Sequence, residues 1–221
     1  MKVRFLIFVT GMVCLLTGAR PAQALILINE FLADPAAGLS GDANGDGVTS
    51  SSADEFVELL NTGEMNVDLF GWMIADGLST RHVFPTGSLL APGEFLVVFG
   101  GGSPSLPGVL TQTASTGLLS LNNAGDQITL YNALGEISDQ VLYGAEGGQD
   151  QSLTRFPDGP GSSFVLHTAL EEANGKLFSP GTTVAGEPVW EGGTPTAAVP
   201  EFSTLAYLLL GGLGAVKKRL K

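Results

Sequence analysis

From residue 25 onward the chain is a series of short apolar runs that alternate with period two. Gly, Asn, Asp and Pro cut it every few residues, and no long 3.6-residue apolar repeat is present. The runs cover residues 25–31, 56–61, 67–75, 95–99, 118–121, 128–131 and 137–143, with 163–167 as a weaker eighth. In the first, Ile26 and Ile28 fall on one face, Leu25 and Leu27 on the other. Asn132-Ala133-Leu134-Gly135 has the length and the glycine of a hairpin loop, and Asn122-Asn123-Ala124-Gly125-Asp126 reads the same way. Pro92-Gly93 marks a sharp turn before a buried run. Thr168 to Gly175, with Glu171 three residues after Thr168, is at most one helical turn. Seven or eight short strands at this spacing predict an all-β protein, an antiparallel β-sandwich.

The two ends differ from this middle. Lys2 and Arg4, an apolar run from Phe5 to about Leu16, and then Ala22-Gln23-Ala24 form a secretory signal peptide, cut after Ala24 by signal peptidase. At the other end Pro200-Glu201-Phe202 precedes an apolar stretch from Leu205 to Val216 and the basic cluster Lys217-Lys218-Arg219-Leu220-Lys221. As a helix that stretch is about 18 Å long, against roughly 30 Å of hydrocarbon, which suits transient membrane insertion better than a permanent anchor. The expected division is 1–24 signal peptide, 25–187 folded domain, 188–199 spacer and 200–221 tail. Trp190 is assigned to the spacer, since Gly, Pro and Thr surround it.

Without its ends the chain keeps Arg81, Arg155 and Lys176 as bases, against the 22 acids less Glu201, a balance of about −18. Such a surface repels phosphate backbones and anionic lipid, so nucleic acid is not an expected partner. The single cysteine, Cys14, lies in the signal peptide, so stability outside the cell rests on packing and on metal if one binds, not on disulfides.

Two resemblances refine this. The tail, through Pro200, Glu201, the short apolar run and the basic end, resembles the PEP-CTERM sorting signal of bacterial surface proteins. It departs at Phe202, where that signal usually has a second proline; a related archaeal class reads Pro-Glu-Phe. The resemblance implies an exosortase-type protease as partner and residence at the cell surface, outer envelope or outside the cell, after a transient stay in the inner membrane. The middle resembles the lamin-tail domain, an immunoglobulin-like β-sandwich. The residues that carry this are Ile28-Asn29-Glu30-Phe31, Asp54 to Leu59, Asn61-Thr62-Gly63, Val67-Asp68-Leu69, Gly71-Trp72, Asp76-Gly77, Phe84-Pro85, Leu89 to Gly93 and Phe95 to Phe99. Ser152-Leu153 to Arg155, Pro157-Asp158-Gly159 and Ser179-Pro180-Gly181 look like the close of bacterial copies. Trp72, on an apolar run after Gly71, is expected to be a buried core anchor.

One segment carries metal chemistry. In Gly41-Asp42-Ala43-Asn44-Gly45-Asp46-Gly47-Val48, Asp42, Asn44 and Asp46 take positions 1, 3 and 5 of a calcium loop. Gly47 makes the turn and the Val48 carbonyl takes position 7. Position 12 is Ala53, so Asp54 is the expected carboxylate if the loop is one residue longer; Ca²⁺ is the expected ligand and an ordinary acidic turn the alternative. No catalytic residues are expected. His82 and His167 lie far apart, with no nucleophile motif nearby, and are expected at the surface or half-buried. Glu55 and Glu58 are the obvious carboxylate pair, but three residues apart on a strand they point to opposite faces. The chain is therefore expected to be a structural or adhesive surface protein that binds polysaccharide or another surface protein. The alternative is a secreted hydrolase of an extracellular polymer that uses surface carboxylates. A convergent acid pair would favour the hydrolase, and a flat sheet face lined with aromatics would favour binding.

Overall fold

The computed structural model describes residues 26–191. Twelve strands follow in order: β1 (Ile26–Leu32), β2 (Phe56–Asn61), β3 (Val67–Asp68), β4 (Met73–Ala75), β5 (Thr80–Val83) and β6 (Leu89–Leu90), then β7 (Phe95–Phe99), β8 (Leu110–Thr113), β9 (Asp126–Tyr131), β10 (Ile137–Tyr143), β11 (Leu153–Phe156) and β12 (Ser163–Leu166). A six-stranded sheet has the order β12-β11-β1-β2-β7-β8, a four-stranded sheet the order β10-β9-β4-β5, and β3 pairs with β6 in a small ribbon. The all-β, immunoglobulin-like sandwich expected from the sequence is present. One pairing departs from the antiparallel pattern: β8 runs parallel to β7, with Leu96 opposite Leu110.

The main core lies between the two large sheets. Ile26, Ile28, Val57, Leu59, Leu96 and Val98 meet Ile74, Ile128, Leu130 and Val141 there. Arg155 of β11 fastens the sheets at one edge, donating to the Ile28 carbonyl at 2.7 Å and to Asp139 of β10 at 3.0 Å. Every residue of β1, β2 and β7 is buried, because the outer face of the six-stranded sheet is covered as well. Phe178 and Val109 pack there beside Leu32, Phe56, Val97 and Phe99, and Trp190 packs on Leu27, Leu60 and Phe95. Double coverage explains why Phe95-Leu96-Val97-Val98-Phe99 is apolar at every position in a largely antiparallel fold.

Three sequence expectations change. Residues 67–75 split into β3 and β4 at a turn where Gly71 takes φ 77° and Trp72 N–H donates to the Leu69 carbonyl. Trp72 therefore lies at the core margin, half-buried, instead of inside a strand. Residues 118–121 form no strand: Ser120 sits at φ 55°, although Leu119 and Leu121 still reach the core. Trp190, expected in a spacer, is docked on the sheet, donating from its backbone to the Gly93 carbonyl and from Nε1 to the Asp158 carbonyl. The aromatic ring supplies the apolar contact that the surrounding Gly and Pro cannot.

Candidate functional site

The acidic loop leaves β1 and returns to β2. Its side chains fold back onto its own backbone, as Asx residues do in turns. Asp42 Oδ2 accepts from Gly47 N–H, Asn44 Oδ1 from Asp46 N–H and Asp46 Oδ1 from Val48 N–H, each at 2.9 Å. Asp46 Oδ2 reaches across to Ser103 N–H, also at 2.9 Å. Asp54 closes the loop, accepting from Asn44 N–H at 3.1 Å and Ser50 N–H at 2.7 Å. The N–H groups of Ser103 and Val48 hold the Asp46 carboxyl below its ordinary range, whereas burial raises that of Asp54. Asp42, Asn44, Asp46 and Asp54 are thus brought into one hydrogen-bonded loop, and the Val48 side chain points to solvent. Asp42 Oδ1 and Asn44 Nδ2 are buried without a partner. Among the described residues, no three or more His, Cys, Asp or Glu side chains gather closely enough to cage a metal ion.

A second polar cluster sits on the outer face of the six-stranded sheet. The register of β1 against β2 shifts between Ile28 and Glu30, leaving Asn29 unpaired with β2. The shift lets Ile28 and Phe31 both enter the core while Asn29 and Glu30 turn to the other side. Glu30 then lies directly opposite Glu58. Both are fully buried, and burial raises both carboxyls, Glu58 further through the nearby charge of Glu30. Like charges opposite each other are unfavourable, and the chain answers with donors. Ser179 gives Glu30 its N–H at 2.9 Å and its hydroxyl at 2.6 Å. Glu58 receives Gly181 N–H at 2.6 Å and the Asn29 amide at 3.0 Å, and that amide also reaches Asp158 at 2.9 Å. The carboxylates thereby hold residues 177–184 as a strap across the sheet.

His167 belongs to this cluster and is fully buried, contrary to the surface or half-buried position expected from sequence. Its Nδ1 lies 2.8 Å from the Lys176 carbonyl and its Nε2 3.0 Å from Ser179 Oγ. The trio differs from a nucleophilic triad, in which the acid stands behind the imidazole. Here Glu30 takes the serine hydroxyl itself, inside a buried contact. His82 is buried too: Nδ1 accepts from Ser115 N–H, Nε2 faces Gln112 Oε1, and burial lowers its pKa.

Glu55 and Glu58 point to opposite faces as expected, but neither is a surface carboxylate. Glu55 accepts from Leu121 N–H at 3.3 Å, and burial raises its pKa to about 7. Nearby, Tyr143 has a buried hydroxyl without a partner. Asp76, ion-paired to Arg81, and Asp126 line a cavity of about 410 Å³ on this side.

The expected processing residues Ala22, Ala24, Pro200, Glu201 and Phe202 lie outside the described residues. Among the described residues no helix is long and apolar enough to cross a membrane. Sequence reasoning missed Asn29, Glu30, Asp158, Ser179 and His167 as one unit. The available signal was Asn29-Glu30, two polar residues inside an otherwise apolar strand.

A family model described as the lamin tail domain matches residues 19–145, ending just past β10. No curated protein matches the chain.

Proposed function

The chain belongs to the lamin tail domain family, and from that premise we propose that it is an exported structural and binding module of the cell surface or extracellular matrix, without catalytic activity. The observation that carries this reading is the use made of the buried acids. Glu30 and Glu58 face each other beside Asp158, but all three are spent on fastening the strap, with Glu30 and Glu58 fully buried, and Glu55 is spent on the loop at Leu121, so no pair of them faces a substrate bond. Export and sorting rest on the signal-peptide pattern and on the ordered Pro200-Glu201-Phe202, apolar run and basic end, with signal peptidase and an exosortase-type protease as processing partners. Polysaccharide is the proposed ligand class. Calcium is proposed as a stabiliser that would draw Asp42, Asn44, Asp46 and Asp54 from their present hydrogen bonds to backbone N–H groups and together with the Val48 carbonyl, supported by the buried, unpartnered Asp42 Oδ1.

The hydrolase reading has one observation in its favour: Glu55, raised to about 7, could hold a proton near neutral pH. Glu55 is only 5 % exposed, which leaves little room for a substrate bond. Incubating the exported protein with a polymer panel, scored for both retention and chain cleavage, separates the two readings; cleavage abolished by Glu55→Gln would refute the non-catalytic proposal. Intact-mass analysis of surface-exposed protein tests the sorting. A chain lacking its residues after the Pro-Glu-Phe region is expected, one still ending at Lys221 refutes processing, and Glu201→Ala should block the cut.

A further inference from the structure

Resting on the binding role proposed above, we propose that the outer face of the four-stranded sheet is the binding surface, and that its ligand is an uncharged polysaccharide. Ile74, Ile128, Leu130 and Val141 of this sheet point into the core, so their strand neighbours point out. Register aligns those neighbours in rows. Ile137, Tyr131, Met73 and Val83 form one row across all four strands. Gln140, Thr129, Ala75 and Thr80 form the next, and Leu142 pairs with Gln127 beyond it. None of these side chains is charged. Leu142 is 70 % exposed, Ile137 58 % and Val83 44 %, so these positions are open to solvent, whereas Thr129 and Ala75 in the middle row are buried, Thr129 beneath the amides of Gln127 and Gln140. A groove of about 390 Å³ runs over Met73, Ala75, Gln127 and Tyr131, with Asp76–Ser79 along its side. Asp76, the acid in that wall, is neutralised by Arg81.

An uncharged face on a domain near −18 selects its partner by charge. A polyanion would meet the repulsion of the whole domain with no base on this face to offset it, and a polycation would find no carboxylate there. Sugars without charge suit it. The Tyr131 ring and the Met73 side chain offer apolar surface to a pyranose face, and the amides offer polar groups to its hydroxyls. The Nε2 atoms of Gln127 and Gln140 both lie 3.0 Å from Thr129 Oγ1. An amide nitrogen only donates, so the Thr129 hydroxyl oxygen accepts from both, and both Oε1 atoms are left as acceptors for a ligand. The first row crosses three inter-strand gaps, about 14 Å at ~4.8 Å each, enough for two or three sugar units of an extended chain.

The test is affinity electrophoresis of the exported protein through gels carrying a neutral glucan, a neutral galactomannan or alginate, with sedimentation velocity on the same samples. Retardation by a neutral polymer and not by alginate is expected. Tyr131→Ala should weaken it at least tenfold and Gln127→Ala severalfold. Thr80→Asp, at an exposed position, adds a charge without removing core and should also weaken it, so the proposal stays testable if Tyr131→Ala unfolds. Leu39→Ser, at an exposed position in the loop after β1, should bind as the parent does. Retardation unchanged in Tyr131→Ala and Thr80→Asp overturns this face while leaving the polysaccharide reading intact. Retardation by none of the polymers overturns both. A concentration-dependent dimer dispersed by Thr80→Asp overturns the proposal in favour of a second copy of the chain as occupant.

Discussion

Replacing Glu55 by glutamine tests whether this domain stores an electrostatic penalty in its core. Burial raises the Glu55 pKa from an ordinary 4.5 to about 7. The folded state therefore keeps this proton to higher pH than the unfolded chain does. Between about 4.5 and 7 folding takes up a proton, so the group's full contribution is present below 4.5 and is lost as pH rises toward 7. A gap of about 2.5 pH units at ~1.4 kcal/mol each amounts to about 3 kcal/mol, an upper figure that local relaxation will trim to about 2–3 kcal/mol. Glutamine keeps the shape, can still accept from Leu121 N–H and carries no charge to desolvate. Urea unfolding of both proteins at pH 4.5, 6 and 8 gives the difference in stability at each pH, and effects of the other acids cancel in that difference. The variant should match the parent near pH 4.5 and exceed it by about 2–3 kcal/mol at pH 8. A difference that does not change with pH, or a variant less stable than the parent at pH 8, would refute the reasoning.

Two further outcomes are expected. Phe31→Ala removes a fully buried ring whose centroid lies 4.8 Å from that of Tyr143, the rings tilted by 41°, and should cost about 3–5 kcal/mol, whereas half-buried Trp72→Ala should cost about 1–2 kcal/mol; equal losses in chemical denaturation would contradict the placement of Trp72 at the core margin. Millimolar Ca²⁺ should raise the melting temperature, by the equivalent of about 2.7 kcal/mol at a hundredfold excess over Kd, and Asp46→Ala should remove most of the rise; a melting temperature indifferent to calcium sinks the loop as a metal site.

The sheet architecture was legible where a run of five or more strand-forming residues is bounded by turn residues. Strands β2, β7 and β10 coincide with the expected runs, and the 132–135 hairpin closes through Gly135 at φ 78°. Strands β5, β6, β8 and β11 were not anticipated, because two to four residues hold too few alternations to stand out, and the parallel β8 pairs with a partner chosen by tertiary packing. The strap was illegible for a different reason. Ser179 and Gly181 matter through their N–H groups and one hydroxyl, which bond to Glu30 and Glu58 more than 120 positions away. The loop composition showed the Asx pattern of Asp42, Asn44 and Asp46, but not that backbone donors would take most of their oxygens. The outer face of the four-stranded sheet could be found only after register was known, since its rows join residues from four separate strands.

Trp190 lies six residues beyond the strap, and its removal should show how firmly the end of the described residues is held. The half-buried ring lies on Leu27, Leu60 and Phe95, and two hydrogen bonds, to the carbonyls of Gly93 and Asp158, fix its backbone and its Nε1. Burying about 100 Å² of apolar surface at ~25 cal/mol/Å² is about 2.5 kcal/mol, and loss of the Nε1 bond adds roughly 1 kcal/mol. Upstream, the strap remains clamped by Glu30 and Glu58, so Trp190→Ala should detach the end locally more than it lowers global stability. Under the proposed sorting this matters, because nine residues lie between Trp190 and Pro200, ten steps along the chain that span at most about 36 Å when extended. A docked Trp190 would keep the folded domain within that distance of Pro200 at the moment of the cut; release of the segment after Val184 would lengthen the tether. Limited proteolysis with mass detection reads the difference: new cleavage between residues 184 and 190 in the variant, with the sheet core intact, is expected. Unchanged protection of that segment would show that the Trp190 contact does not hold it.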